Sequence, residues 1–530
     1  MNDKLKIGIL TESHSFSEHE DWKKYMVDKL INDESVEWVK FINIFGLSNK
    51  RESKTLSGSI LNLQFGLETK ISKIYFPSNS EIQIPDIETV EVRDSEELAG
   101  ILKKQEASGT VSFDVIINLS SQAVAQSFVD LAKYGVWELR YLDENINNIK
   151  SFGLSELKNN KPNISIILVN YLPQEIEKRY SANYNIHYSI YRNYTYILYG
   201  VTSFLIKNIK SRNEPVTDAV IEKVAEKPGT FDILRYLSNF YKNALLKKAS
   251  PKTQAFGNYN WGILLGQGSI KDNDLKSLER IDPPEGEFWA DPFLLKNNGD
   301  LYLFFERFPY STLRGRISCC KIEHGRATDI KDILNSDYHM SFPYIFREDN
   351  EIYIIPETSE RKRLEVYRCV NFPDKWELYS TAFDGVSMAD TVYYKDKEGQ
   401  RWLFTSLSHP AIHDHCSELY IYKIDSLRFN KIEPHKQNPV IIDSSLARGG
   451  GGIFEEDGKI YRVSQINSYG IYGAGVNINE IKTLTLDRYK EEKKREILYK
   501  DVDNAVRIHQ LHQLNNLNNL FVMDVCYKKM

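Results

Sequence analysis

The spacing of apolar residues changes character near the middle of this chain. Up to about residue 205, short apolar runs alternate with amphipathic segments. The runs Lys6–Leu10 (KIGIL), Asp114–Ser120 (DVIINLS) and Ile164–Asn170 (ISIILVN) predict strands of an N-terminal α/β domain. The stretches GVTSFLIKNIK and FDILRYLSNFYKNALLKKA read as helices on either side of a Glu-Lys-Pro-Gly break, so residues 206–254 are expected to form a helical linker. From 255 to 530 the pattern is paired strands rich in aromatic residues, joined by glycine or charged turns.

One hairpin of this second half recurs. GEFWADPFLLKNNGDLYLFFE (286–306) has a polar opening, an apolar strand, a tight turn and a second apolar strand. The plan returns in SFPYIFREDNEIYIIPETSE (341–360), MADTVYYKDKEGQRWLFTS (388–406), RGGGGIFEEDGKIYRVSQ (448–465) and RIHQLHQLNNLNNLFVMDV (507–525). The opening residues Asp291, Pro343, Asp390, Arg448 and His509 are 52, 47, 58 and 61 residues apart, which is the size of a propeller blade. Five imperfect repeats predict an all-β five-bladed propeller over 255–530. In such a ring the innermost strands line a central funnel. Asp291, Asp390, Arg448 and His509 are expected to converge there, joined by Glu306, Glu357, Arg462 and Gln465 from neighbouring strands. A polar funnel with Trp289, Phe342 or Tyr461 beside it suits a sugar, whose hydroxyls need donors and acceptors and whose ring faces need apolar cover. Turn carboxylates and an arginine salt bridge account for the same residues without a ligand.

Composition removes some classes of partner. A net charge of -5 gives no general reason to expect a nucleic acid. Five cysteines without CxxC spacing form neither a disulfide framework nor a thiolate metal site, which fits a reducing compartment. The start MNDKLKIGIL runs straight into a strand, and no stretch approaches the roughly 18 apolar residues of a membrane span. A cytoplasmic protein with no transmembrane segment is expected. The basic, aromatic second helix of the linker leaves peripheral membrane contact open, and a helix bridging two domains explains it equally. The pattern carries no oligomeric state.

For chemistry, Asp291 is a candidate general base, with Asp390 orienting it or tuning its partner. Glycoside cleavage also needs an acid. Arginine cannot supply that proton near neutral pH, so the acid would be Glu306 or Glu357. The Arg448 guanidinium points equally to a phosphate or carboxylate on the ligand. Gly449–Gly452 either brings backbone amides to an anionic ligand or forms a crowded turn beside the axis. INSYGIYGAGVNINEI (466–481) is placed to overhang the funnel. His409, His413, His415 and Cys416 with Asp414 form a metal-ligand inventory, but a loop between strands explains them too, and no metal ligand is assigned. In the front domain Thr11, Glu12, Ser13 and His14, and also Asn118 and Ser120, stand at strand ends where an open α/β sheet keeps its crevice. Polar residues there also cap helices. The first strand is not followed by GxGxxG, and no GxSxG elbow supports a Ser-His-Asp triad.

The stretches FWADPF, FPYIF with EIYIIPE, RGGGGIFEEDGKIYRVSQ with YGAGVNINEI, and RIHQL resemble the propeller module of plant glucosamine inositolphosphorylceramide transferases and bacterial surface-glycan proteins. More distantly, Asp291 followed by Pro292 resembles the general-base position of five-bladed arabinofuranosidase and xylosidase-type glycosidases. Asp390 then corresponds to their auxiliary acid, while Arg448 departs from the glutamate expected as proton donor. FDVIINLS followed by AKYGVWELRYLDEN resembles the later strands of the formyltransferase N-terminal domain, implying a Rossmann-type fold over about 1–205. That family uses an Asn-x-His constellation with an Asp. Here Arg140 and Tyr141 stand where the histidine-bearing loop is expected, and Asn118 does not supply the histidine. Together the resemblances imply a bacterial two-domain transferase that modifies or assembles a surface glycan or sugar metabolite, bringing a small-molecule activated donor to a carbohydrate acceptor, with its cofactor unknown. Asp291, Asp390 and Glu357 would carry catalysis, and Trp289, Glu306, Arg448, Arg462, Gln465, His509, Asn118 and Arg140 would contact substrate. A five-bladed glycoside hydrolase and a noncatalytic carbohydrate-binding or assembly protein are the alternatives.

Overall fold

The computed structural model describes residues 4–12, 21–45, 56–72, 87–106, 113–121, 125–174, 176–212, 229–249, 259–275, 278–408, 413–514 and 519–528. Ser13, His14 and His409 lie outside them. The chain forms two compact units, Met1–Phe240 and Tyr241–Met530.

In the first unit β1 (Leu5–Thr11) pairs in parallel with β2 (Val36–Ile44) on one side and β4 (Val115–Asn118) on the other. The parallel array extends outward from β2 to β3 (Thr89–Val92) and from β4 to β5 (Val136–Tyr141). The two-residue β6 (Glu144–Asn145) folds back on β5. β7 (Ile164–Tyr171) then runs antiparallel to β5, and β8 (Ile176–Tyr184) antiparallel to β7, giving the order β3-β2-β1-β4-β5-β7-β8. Ile7, Ile9, Ile116 and Ile117 are all buried, as uninterrupted apolar runs require when both faces of a sheet are covered. Successive strands are added in opposite directions from β1 and β4, so the ends of these two strands flank the crevice position of an open sheet.

Six α-helices occur among the described residues: α1 (Asp21–Ile31), α2 (Leu56–Ser72), α3 (Ser95–Glu106), α4 (Leu154–Asn159), α5 (Ile190–Lys210) and α6 (Thr230–Ala249). Ser189 caps α5 by accepting the Arg192 N–H. Ile233 and Tyr236 of α6 are buried with Leu154 and Ile190, and the division between the units falls within α6. No described helix is long and apolar enough to cross a membrane.

The second unit is a five-bladed β-propeller of antiparallel sheets. Blades 1 to 4 occupy residues 287–334, 341–382, 388–442 and 449–498. Blade 5 joins the two ends of the unit: Leu520–Lys528 pairs with Tyr259–Gln267 from Leu520↔Gln267 to Lys528↔Tyr259, which closes the ring. Aromatic residues such as Phe293, Phe304, Phe342 and Trp402 fill the space between blades.

A repeated bulge decides which residues face the axis. Ala290 pairs with Glu306 and Phe293 with Phe304; Ser341 pairs with Glu357 and Tyr344 with Ile355; Ala389 pairs with Ser406 and Val392 with Phe404. Each inner strand thus carries one residue more than its partner over the same span. The residue after the first pair is left-handed every time: Asp291 (φ 53°), Phe342 (φ 47°) and Asp390 (φ 50°). Such a conformation is uncommon outside glycine and must be held by its surroundings. Blade 4 departs further, with an irregular stretch between the pairs Gly449↔Ser464 and Ile453↔Arg462.

This register corrects two alignments read from the repeats. Phe342, rather than Pro343, is the counterpart of Asp291, and Pro343 matches Pro292. Arg448 precedes Gly449 as Trp289 precedes Ala290, so it is not the fourth-blade counterpart of Asp291. Spacing alone could not fix these positions, because connections between blades differ in length while hydrogen-bond register does not.

Candidate active site

Asp291, Glu306, Glu357, Asp390, Arg448, Gln465 and His509 line a single cavity of about 170 Å³ in the propeller, together with His339, Phe342 and Tyr472. Two groups of ion pairs organise it.

The first group is built on the left-handed Asp291. Its Oδ2 accepts the Phe342 N–H at 3.1 Å, and its Oδ1 lies 3.7 Å from His509 Nε2. Behind it Asp524 accepts the backbone N–H of Asp291 at 3.0 Å, and its Oδ2 is 2.5 Å from His509 Nδ1. Burial pushes the Asp291 carboxyl up to about 6, reinforced by Asp524 and Glu357 and opposed by His509 and the Phe342 N–H. Burial works against a charge on His509, but Asp524 and Asp291 outweigh it and raise the imidazole to about 9. These three side chains offer ligand atoms within 4.8 Å of one another. A metal ion bound there would have to displace a proton from the imidazole; without one the three groups form an ion-pair chain.

The second group centres on Arg448, whose Nε is 2.6 Å from Asp390 Oδ2 and whose Nη2 is 3.4 Å from Glu357 Oε2. Burial alone would raise Glu357, yet Arg448 and His415 hold it below the ordinary carboxylate range, helped by the Ser359 hydroxyl at 2.9 Å. Burial raises Asp390 well above that range despite Arg448, with Glu357 and Asp291 adding to the shift. One guanidinium therefore sits with two carboxylates that do not both ionise freely. Glu306 has no arginine. Burial and then Asp291, Glu357 and Asp524 raise it well above its usual range, which favours its protonated form. Gly315 N–H donates to His339 Nδ1 at 3.0 Å, leaving His339 Nε2 as the protonated nitrogen, 3.4 Å from Glu306 Oε1.

Several residues singled out from the sequence stand elsewhere. Trp289 is 1% exposed; its ring packs on Phe305 at 4.3 Å and its N–H donates to Glu287, so it serves the blade interior and not a sugar face. The bulge separates it from Asp291, which turns to the axis. Arg462 is directed away from the cavity centre, with Nε and Nη2 on Glu491 and Nη2 also on the Leu446 carbonyl. Tyr461 stacks on Phe454. The glycine run marks crowding: a Cβ on Gly451 would fall 1.7 Å from the Leu511 carbonyl oxygen, and one on Gly449 would meet Asp390 at 2.9 Å. His415 turns to Ser387 and Asp414 accepts from Ser417, so among the described residues the histidine-rich loop gathers no ligand set.

In the first unit Asn118 Nδ2 donates to Glu138 Oε2 at 2.7 Å, and Arg140 Nε lies 3.4 Å from Glu138 Oε1. Glu12 accepts the backbone N–H and hydroxyl of Ser121. Glu138, which joins Asn118 to Arg140, escaped the sequence reading, as did Asp524, His339 and the specific role of Tyr472. A signal for Asp524 does exist. FVMD repeats the pattern of LFFE and IIPE, an apolar second strand ending in an acid.

Fold and site define a class: an α/β sheet domain followed by a five-bladed propeller with a carboxylate-lined cavity. The family model for the N-terminal region of glucosamine inositolphosphorylceramide transferase 1 matches residues 279–525. The protein of that name from Oryza sativa subsp. japonica is 36% identical over 217 residues, 39% of this chain and 29% of the relative. Its Arabidopsis thaliana counterpart is 35% identical over 208 residues, 38% and 27%. The chain thus spans less than a third of the length of these relatives. Among solved structures, the catalytic domain of a Coprinopsis cinerea GH62 α-L-arabinofuranosidase aligns with a TM-score of 0.36 at 10% identity, covering 51% of this chain and 97% of that one. A GH43 β-1,3-galactosidase aligns with a TM-score of 0.32 at 12% identity, covering 43% and 81%.

Proposed function

We propose that the propeller cleaves a glycosidic bond, with Glu306 as general acid and Asp291 as the carboxylate that activates water or attacks the anomeric carbon. The observation that carries this reading is that one cavity holds both a carboxyl pushed towards its protonated form by burial and like charges, and a carboxylate oriented by a backbone N–H beside an imidazole. Two carboxyl groups with separated roles are what glycoside cleavage requires. Asp390 and Glu357 act with Arg448 to set the local charge; the depressed Glu357 is a poor proton donor. Because Arg448 is already matched by two carboxylates, the cavity favours a neutral or positively charged sugar over an anionic one, and the glucosamine in the name of the relatives agrees with that preference.

The test is turnover of a panel of aryl glycosides and oligosaccharides, followed by mass spectrometry. Glu306→Gln is expected to lose at least 100-fold on substrates with poor leaving groups and to keep most activity on dinitrophenyl glycosides, which need no acid. Asp291→Asn is expected to be inactive on both. Equal loss on both leaving groups in E306Q removes Glu306 as the acid.

A second reading is favoured by the 36% identity to proteins named as transferases: the site positions a glycan acceptor, and an activated small-molecule donor is used elsewhere in the protein. In this reading the donor would be held around Asn118 and Arg140, which both reach Glu138. Mass gained by an acceptor would select this reading, whereas glycan retention without any mass change would leave a binding or assembly module.

A further inference from the structure

We propose that Asp524 and His509 are positioning residues for Asp291, forming a relay across the seam where the first and last blades of the propeller meet. The inference rests on the reading of Asp291 as the catalytic carboxylate.

Asp524 is 0% exposed, and its two oxygens engage groups from both sides of the seam. Oδ2 accepts the Asp291 N–H of blade 1 at 3.0 Å and stands 2.5 Å from His509 Nδ1 of blade 5. Oδ1 accepts the backbone N–H groups of His509 and Gln510 at 3.1 and 2.9 Å. The Gln510 amide crosses the same seam to the Pro292 carbonyl at 3.0 Å. One carboxylate therefore fixes the backbone of the strained Asp291 against the strand that closes the ring.

The His509 ring has little freedom. It stacks on Trp261 at 4.4 Å and 26°, and Tyr472 meets it edge-on at 5.6 Å. Nδ1 lies 2.5 Å from Asp524 Oδ2 as an ion pair without hydrogen-bond alignment, and Nε2 lies 3.7 Å from Asp291 Oδ1. The other Asp291 oxygen is held by the Phe342 N–H, so both oxygens have a fixed electrostatic partner. The groups facing the imidazole are Asp291 from blade 1, Asp390 from blade 3, Tyr472 from blade 4 with Arg448 5.3 Å from the Tyr472 ring centre, and Asp524 from its own blade. Carboxylates dominate this set. A cation at His509 offsets the repulsion that would otherwise protonate Asp291, and Asp524 keeps that cation in place.

A merely structural Asp524 would affect folding without tuning the titration of its neighbours. The full-length protein, labelled with ¹³C and ¹⁵N in histidine, distinguishes the two by NMR, with His509→Gln assigning the resonance. In the wild type the His509 imidazole is expected to remain protonated to above pH 8. Asp524→Asn and Asp291→Asn are each expected to lower its midpoint by at least one pH unit; the second variant, which leaves the seam carboxylate intact, covers the case in which the first does not fold. With a turned-over glycoside, His509→Gln is further expected to move the acidic limb of kcat/KM to higher pH, because Asp291 loses the neighbouring positive charge that opposes its protonation. A wild-type midpoint near 6.5, or a midpoint unmoved in folded D524N or in D291N, overturns the relay. If the expected NMR shifts occur but no glycoside is cleaved, the coupling of His509 to Asp291 stands and the hydrolase reading falls.

Discussion

At Arg448 a buried guanidinium is enclosed with Asp390 and Glu357, and the cost of desolvating all three is offset only while the set is complete. Arg448→Met should therefore destabilise the protein by about 3–5 kcal/mol, as expected when one partner of a buried ion pair is removed. Adding Glu357→Gln should recover part of the loss, since the carboxylate that Arg448 holds below its usual range goes with it. Urea denaturation of the two variants checks this; equal stabilities would mean that Glu357 carries no uncompensated charge once Arg448 is gone. The residue types at this site were legible in the sequence: acids, an arginine and a histidine at the openings of aromatic strand pairs. Their pairings were not. Whether a guanidinium is free for an anionic ligand or already matched depends on carboxylates 58 and 91 residues away.

The element that organises the site is the bulged inner strand. Its left-handed residue turns Asp291, Phe342 or Asp390 inward, and in blade 4 glycine takes over because the backbone runs against its neighbours. Two glycines of that blade separate crowding from conformation. Gly458 has φ 74° and open space within 4 Å of where a Cβ would stand, so Gly458→Ala should cost only about 1–2 kcal/mol, the left-handed penalty. Gly451 has φ 146° and would place its Cβ 1.7 Å from the Leu511 carbonyl oxygen, so Gly451→Ala must shift one of two adjoining strands and should cost more than about 3 kcal/mol. Thermal melts of the pair measure the difference, and similar Tm values would refute tight packing at Gly451. The strand pairs could be read from apolar runs and turns, because those are local properties. The bulge could not, since it is a mismatch between two strands and either one alone looks regular. Trp289 shows the consequence: two residues from Asp291 in sequence, it is packed inside the blade.

Across the whole molecule, the seam ties propeller closure to protonation. His509 has a folded pKa of about 9 against 6.5 for the free side chain. Its value is raised, so its stabilising contribution is fully present below pH 6.5 and is lost as pH rises through 9. Asp291, raised from 3.8 to about 6, has completed its own loss of stabilisation near the start of that window. The Tm should fall between pH 6.5 and 9.5, and His509→Gln should flatten the slope; an unchanged slope in that variant would place its origin elsewhere. The sequence by itself determined the two-part architecture, the blade count and most of the acidic inventory, because periodicity records which face of each strand or helix is buried and repeat length records how many strands make one blade. Only the tertiary structure decided that both ends of the propeller share a blade, that Asp524 stands behind Asp291, and that Arg448 is paired with Asp390 and Glu357 while Glu306 is pushed towards its protonated form. Those properties depend on burial and on charges brought together from distant blades, and no local stretch of the chain contains either.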